Sequence, residues 1–167
     1  MKLQKIDKQQ YKQRLNRVQA GLVIALFGLS LALAELYRYL LIGGESSFML
    51  NAAGVATAAA IVTFALYHYR NHPYMAEVVY AWRLKQALNK IYRSSKKVDA
   101  GLVEDNPIAV RIRYFSLHAS AHLYQLEDNT LTMPELNEQI VALDEQIERL
   151  GLNVSIEDYS PELLSQL

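Results

Sequence analysis

Two long apolar stretches, residues 18–42 and 48–67, dominate the hydropathy pattern of this chain, and a short polar hinge at 43–47 separates them. Residues 18–34 carry no charge; after Glu35 and Arg38 the apolar character resumes at Leu40, Leu41 and Ile42. At about 1.5 Å rise per residue, helix over 18–34 covers roughly 26 Å and helix to Ile42 roughly 38 Å, against a hydrocarbon core of about 30 Å. The second run is uncharged throughout, with Asn51 and a few threonines as its polar side chains, and covers roughly 30 Å. Both runs predict membrane-spanning helices. Long helices in a soluble core normally keep a polar face, and these do not. A cleaved leader ending at Ala32-Leu33-Ala34 fits poorly, because the apolar region exceeds a usual signal and continues past that point.

Flanking charge predicts orientation. The segment 1–17 holds Lys2, Lys5, Lys8, Lys12, Arg14 and Arg17 against Asp7 alone, while the hinge holds Glu45 and no base. Positive charge resists translocation, so both chain ends are expected in the cytoplasm and the hinge outside. Tyr37 and Tyr39 near one boundary, and Tyr67, Tyr69 and Arg70 near the other, suit the interfacial belts. A hinge this short makes the two helices antiparallel neighbours. Small residues spaced by four (Gly21 and Ala25, Gly28 and Ala32, Gly54 and Ala58, Ala56 and Ala60) permit close approach, within one chain or between chains. Glu35 and Arg38 form an i, i+3 pair that lies inside the outer leaflet if the two helices match in height. If the first helix overhangs the bilayer at Tyr37, the pair is solvated, and this cheaper arrangement is the expected one.

Residues 68–167 read as a cytoplasmic helical domain. Pro73 breaks the helix at His72. A long amphipathic helix over 74–97 presents Val78, Ala81, Leu84, Leu88 and Ile91 on one stripe. A linker centred on 99–105 contains Gly101. Asn106 and Pro107 start a second helix with Ile108, Ile112, Phe115, Ala119, Leu123 and Leu126 on one face. Thr132 and Glu135 have capping-box spacing, with Pro134 in the first turn; the third helix runs to Leu150 and stops at Gly151. Ser160-Pro161-Glu162 begins a last helical turn in an otherwise weakly structured tail. The segment 1–17 reads as a lead-in that either continues the first span along the head groups or frays in solvent. The expected fold class is therefore an all-α membrane protein, a two-helix transmembrane hairpin followed by a bundle of about three helices.

Net charge is zero, yet residues 1–97 hold fourteen bases and four acids while 98–167 hold three bases and thirteen acids. Either the basic half faces anionic lipid head groups, or basic and acidic helices pair within the domain, and the two are compatible. Nucleic acid is not an expected partner, since the acidic half repels phosphate.

Chemistry is sparse. There is no cysteine, so no thiolate site exists. The four histidines form two i, i+4 pairs, His68 with His72 and His118 with His122, a spacing that brings two imidazoles to one helix face. The zinc-protease pattern needs a Glu after the first His, and position 119 is Ala; a third ligand from Glu127, Asp128 or Glu145 is fixed by no pattern. Packing histidines are the expectation for His118 and His122, with a metal site as the alternative. Lipid phosphate contact is expected for His68 and His72. No nucleophile elbow, phosphate loop or dinucleotide fingerprint is present. No enzyme activity and no cofactor are expected.

The run from His72 to Arg93, HPYMAEVVYAWRLKQALNKIYR, resembles the central segment of a family of small two-span inner-membrane proteins of proteobacteria, a domain of unknown function. The opening IDK through LNR (Ile6 to Arg17) and YQLEDNTLT (Tyr124 to Thr132) are similar too. The resemblance implies a bacterial inner-membrane location and brings no catalytic or binding residue. The expected role is to anchor a helical domain that binds a protein partner or forms a homo-oligomer. A metal-dependent membrane enzyme using His118 and His122 is the alternative, and an oligomeric pore using Glu35 and Arg38 a weaker one.

Overall fold

The computed structural model describes residues 2–43, 45 and 47–167, which are helical with no strand among them. Helix α1 spans Lys8–Ile42 and α2 Phe48–Tyr69; a 3-10 turn at Pro73–Met75 leads into α3 (Ala76–Arg93), α4 (Ser95–Val103), α5 (Pro107–Glu127) and α6 (Met133–Leu150). Two further 3-10 turns, Ile156–Asp158 and Pro161–Ser165, close the chain. The chain forms two compact units: residues 10–79, and residues 2–9 together with 80–167.

In the first unit, α1 is 35 residues long, or about 52 Å, so the polar lead-in is helical from Lys8 onward. Gly43 ends it at φ +64°, a left-handed conformation that glycine adopts without strain. Of the hinge, Gly44 and Ser46 lie outside the described residues. The two helices meet through a half-buried stripe, Leu22, Ala25, Leu29, Leu33 and Tyr37 on α1 against Leu50, Ala53, Thr57, Val62 and Leu66 on α2. The closest approach is at Gly54, where an added Cβ stands 2.7 Å from the Ala34 amide nitrogen. Ala58, one turn on, is fully buried. Of the small-residue pairs, only Gly54 and Ala58 are both buried; Gly28, Ala32, Ala56 and Ala60 are exposed.

A polar knot holds the other end of this unit. The Arg14 guanidinium donates to the Pro73 carbonyl (3.0 Å) and to Glu77 (2.5 Å), and lies 5.1 Å from the Tyr74 ring centroid. The Pro73 carbonyl also accepts the Ala76 amide within the 3-10 turn, so Arg14 adds a second, charge-assisted bond to it.

In the second unit α5 is central, packing against α4 on one side and α6 on another. Ile112, Phe115, Ala119 and Leu123 face Tyr80, Leu84 and Ile91 of α3 and Val98 of α4, while Val110 and Leu117 face Leu136 and Leu143 of α6. The single apolar face expected for α5 is thus one of two. The linker expected at 99–105 is mostly helix: the chain breaks earlier, at Ser94, and Gly101 lies inside α4, where an added Cβ meets Ala109 Cβ at 2.7 Å. This glycine serves close helix packing, not a turn.

Asn106 Oδ1 accepts the Ile108 amide at 2.9 Å, a side-chain N-cap, and Gly151 ends α6 at φ +62°. Thr132 precedes α6 but its side chain makes no capping hydrogen bond, so the capping box is not formed there. A capping box occurs instead at Ser155 and Asp158. The tail is built into the core: Tyr159 is buried and stacks on Phe115 with centroids 4.1 Å apart, and Ile156, Leu163, Leu164 and Leu167 pack around it. Leu3 and Ile6 pack against the same cluster, so the segment before α1 is not frayed. It is pinned by the Gln4 amide donating to the Tyr80 hydroxyl (2.9 Å), by Lys2 with Glu157 (2.9 Å) and by Lys8 with Asp128.

Candidate functional site

The hairpin presents an apolar exterior. Ile24, Phe27, Leu31, Phe48, Met49 and Phe64 are exposed, and α1 and α2 are both long and apolar enough to cross a membrane. Among the belt residues, Tyr39, Tyr67 and Tyr69 are exposed, and the Arg70 guanidinium lies 3.8 Å over the Tyr67 ring, a cation–π contact. Tyr37 is half-buried and donates its hydroxyl to Thr57 Oγ1 at 3.0 Å, so it faces α2. Glu35 and Arg38 form their ion pair at 3.0 Å. With Ala34 against Gly54, seven residues into α2, this pair is level with the first turns of α2.

The histidines separate. His72 lies beyond α2 with φ −69° and ψ 139°, and its Nδ1 accepts the Tyr74 amide at 3.1 Å, capping the turn at Pro73. It shares no helix face with His68, which stacks on Phe64. On α5, His118 packs on Tyr114, with centroids 4.2 Å apart, and His122 meets the Tyr80 ring edge-on at 6.1 Å. His122 Nε2 is buried with no hydrogen-bond partner among the described residues. Burial pushes its pKa down, since the charged imidazolium loses hydration there. The Tyr80 hydroxyl is pushed up, chiefly by burial and against the opposing effect of the Gln4 amide. Among the described residues no three His, Asp or Glu side chains converge as a metal-ligand set.

A groove of about 380 Å³ runs between α3 and α5, with Lys85, Asn89 and Tyr92 on one wall and Arg113, Ser116 and Ser120 on the other. Lys85 pairs with Glu127 (2.5 Å) at one end, and Arg113 with Asp99 at the other. Burial lowers the Arg113 pKa. The sequence reading passed over this groove; its signal is the polar stripe Arg113, Ser116, Ser120 and Tyr124, which interrupts an otherwise apolar helix at spacings of three and four.

Charge pairing within the unit is partial. Lys2 with Glu157, Lys8 with Asp128 and Lys85 with Glu127 join the basic half of the chain to the acidic half. Asp105 accepts two bonds from Arg149 (2.7 and 2.9 Å) and one from Gln146 (2.7 Å), and the Arg149 bonds foremost hold its carboxyl below the usual range. Two strips stay outside this network. Glu138, Glu145 and Glu148 lie on the exposed face of α6, and Arg83, Lys90 and Arg93 on the exposed face of α3, with no ion pair among the described residues.

The model of a family described as "Protein of unknown function (DUF3087)" matches residues 1–164 of the chain. No curated protein and no solved structure matches it.

Proposed function

We propose that this chain, which belongs to that family of unknown function, is a two-span protein of the bacterial inner membrane that displays a helical domain in the cytoplasm for contact with another protein or a second copy of itself. The observation that carries this is that none of the most apolar window of α1 is buried, although the helix is long enough to cross a bilayer. Leaving a Phe, Leu, Ile or Met side chain in water forgoes about 1.5–3 kcal/mol. Ile24, Phe27, Leu31, Phe48, Met49 and Phe64 together represent on the order of 10 kcal/mol, as much as the whole stability of an ordinary domain. Lipid around the hairpin removes that penalty.

The bases of residues 2–17 favour both ends of the chain in the cytoplasm and the hinge outside. Arg14 supports the same-side arrangement, since it joins the start of α1 to the turn that follows α2. The bases also suit an anionic lipid surface. A non-enzymatic role is favoured by the way the histidines serve as caps and packing groups. Membrane fractionation of the untagged protein, with reporters fused at the carboxyl end and in the hinge, tests the reading. The protein is expected in the detergent-extractable membrane pellet with the terminal reporter active only inside the cell. Recovery in the high-speed supernatant, or a carboxyl end active outside, overturns it.

A further inference from the structure

Two exposed strips of opposite charge lie on different helices of the unit formed by residues 2–9 and 80–167. On α6, Glu138 and Glu145 flank the exposed Val141 and Ala142, and these four with Asn137 border a shallow concavity of about 370 Å³; Glu148 lies one turn further. On α3, Trp82, which is 59% exposed, adjoins Arg83 at the start of a basic strip that continues to Lys90 and Arg93. Glu138 and Glu145 are seven residues apart, as are Arg83 and Lys90, so each pair is about 10.5 Å apart along its helix. That match lets two ion pairs form together whichever way the helices run. The strips are not spent within the chain: α6 packs on α5, and the ion pairs of the unit use other residues. Lys90 acts only weakly on a neighbour, helping lower the Glu162 carboxyl behind local hydrogen bonds.

We infer that the α6 strip of one molecule docks on the α3 strip of a second copy, with Arg83 and Lys90 paired to Glu138 and Glu145 and Trp82 packed at the end of the contact beside Arg83. This deepens the self-contact part of the proposed function and rests on it. A second copy is favoured because one chain carries both complementary strips, with an exposed aromatic on one and a concavity on the other. Trp and Arg are the side chains that most often anchor interfaces. Exposed ion pairs alone contribute little, so Trp82 supplies the affinity and the charges supply register and choice of partner. Because donor and acceptor strips are different surfaces, the contact is heterologous and adds molecules head to tail.

The test uses the full chain in mild detergent, with mass followed by light scattering as concentration rises, and three variants: E138K/E145K, R83E/R93E and W82A. All the altered side chains are exposed, and circular dichroism checks that helicity is kept. Wild type is expected to grow in mass with concentration, and to dissociate as salt rises from about 0.15 M to about 1 M. Each variant alone is expected to associate at least tenfold more weakly. An equal mixture of E138K/E145K and R83E/R93E sets each native strip against its native complement and each reversed strip against a reversed one, so it is expected to grow larger than either variant alone. A wild type that stays monomeric while extracted from membranes overturns this inference and leaves the membrane reading standing. A mixture no larger than its components also overturns it. So does an R83E/R93E protein that associates normally but loses binding to vesicles containing phosphatidylserine, because the basic strip then serves lipid.

Discussion

The hairpin and the helical unit use apolar side chains in opposite ways. In the helical unit the large ones go inside: Leu84, Ile112 and Phe115 are fully buried and the charges cover the outside. In the hairpin the smallest side chains go inside, Gly54 and Ala58 against the Ala34 turn, while Phe27, Phe48 and Phe64 point out. Water drives the first arrangement by expelling apolar area. The second depends on close backbone approach at Gly54 and a Tyr37–Thr57 hydrogen bond, not on burial of large side chains. The same residue type therefore carries opposite structural weight in the two regions.

Paired substitutions expose that contrast, and the largest effect is expected for phenylalanine. Phe115→Ala removes a fully buried ring stacked on Tyr159 and should cost about 3–5 kcal/mol in detergent denaturation of the full chain followed by circular dichroism. Phe27→Ala, at a position 67% exposed, should shift the same curve by no more than about 0.5 kcal/mol. Equal losses at both sites would erase the distinction between the two regions. A smaller contrast is expected for glycine. Gly54→Leu forces the Ala34 backbone away and should destabilise the hairpin by about 1–3 kcal/mol, whereas Gly28→Leu meets nothing within 4 Å and should be close to neutral. Thermal melts of the two variants against wild type decide this, and a damaging Gly28→Leu would mean that the exposed face of α1 is packed against something.

The smallest effect concerns pH and belongs to the helical unit alone. His122 has a folded pKa below its unfolded value because of burial, so between the two values the unfolded chain holds more protons. Its contribution to stability is complete above about pH 6.5 and is lost as pH falls toward the folded pKa. Denaturation midpoints at pH 5 and pH 7.5 should differ in that direction, and the His122 share of the difference should vanish in His122→Gln. An unchanged slope in that variant would remove His122 as its source.

Much of the fold is written in local signals. The two apolar runs match α1 beyond Arg17 and, to within two residues, α2, and Asn106 with Pro107, Pro134 and Gly151 mark helix ends where the structure has them. Signals that depend on a distant partner misled or were silent. Gly101 looks like a helix breaker until Ala109 is known to press against it. Val110 and Leu117 reveal a second buried face of α5 only once α6 covers them. Tyr159, Leu163 and Leu164 lie in 3-10 turns with no helical period, so their place in the core left no pattern to read. The i, i+4 spacing of His68 and His72 implied a shared face, and Pro73 broke the helix that would have provided it. The candidate surface was less legible still: a charge imbalance between two halves is plain in composition, but which acids are consumed by Lys2, Lys8 and Lys85 is decided by the fold.

Leu3 and Ile6 are separated by some seventy residues from the cluster they complete, and Gln4 reaches Tyr80 across 76 positions of chain. During synthesis, then, residues 3–6 cannot take their place in this cluster until Tyr80 and the helices after it have been made. A truncated gene product starting at Ala76 would lack this wedge, leaving the Leu84 and Phe115 cluster open to water, so anyone cutting the chain to obtain a tractable fragment should graft the first nine residues back on.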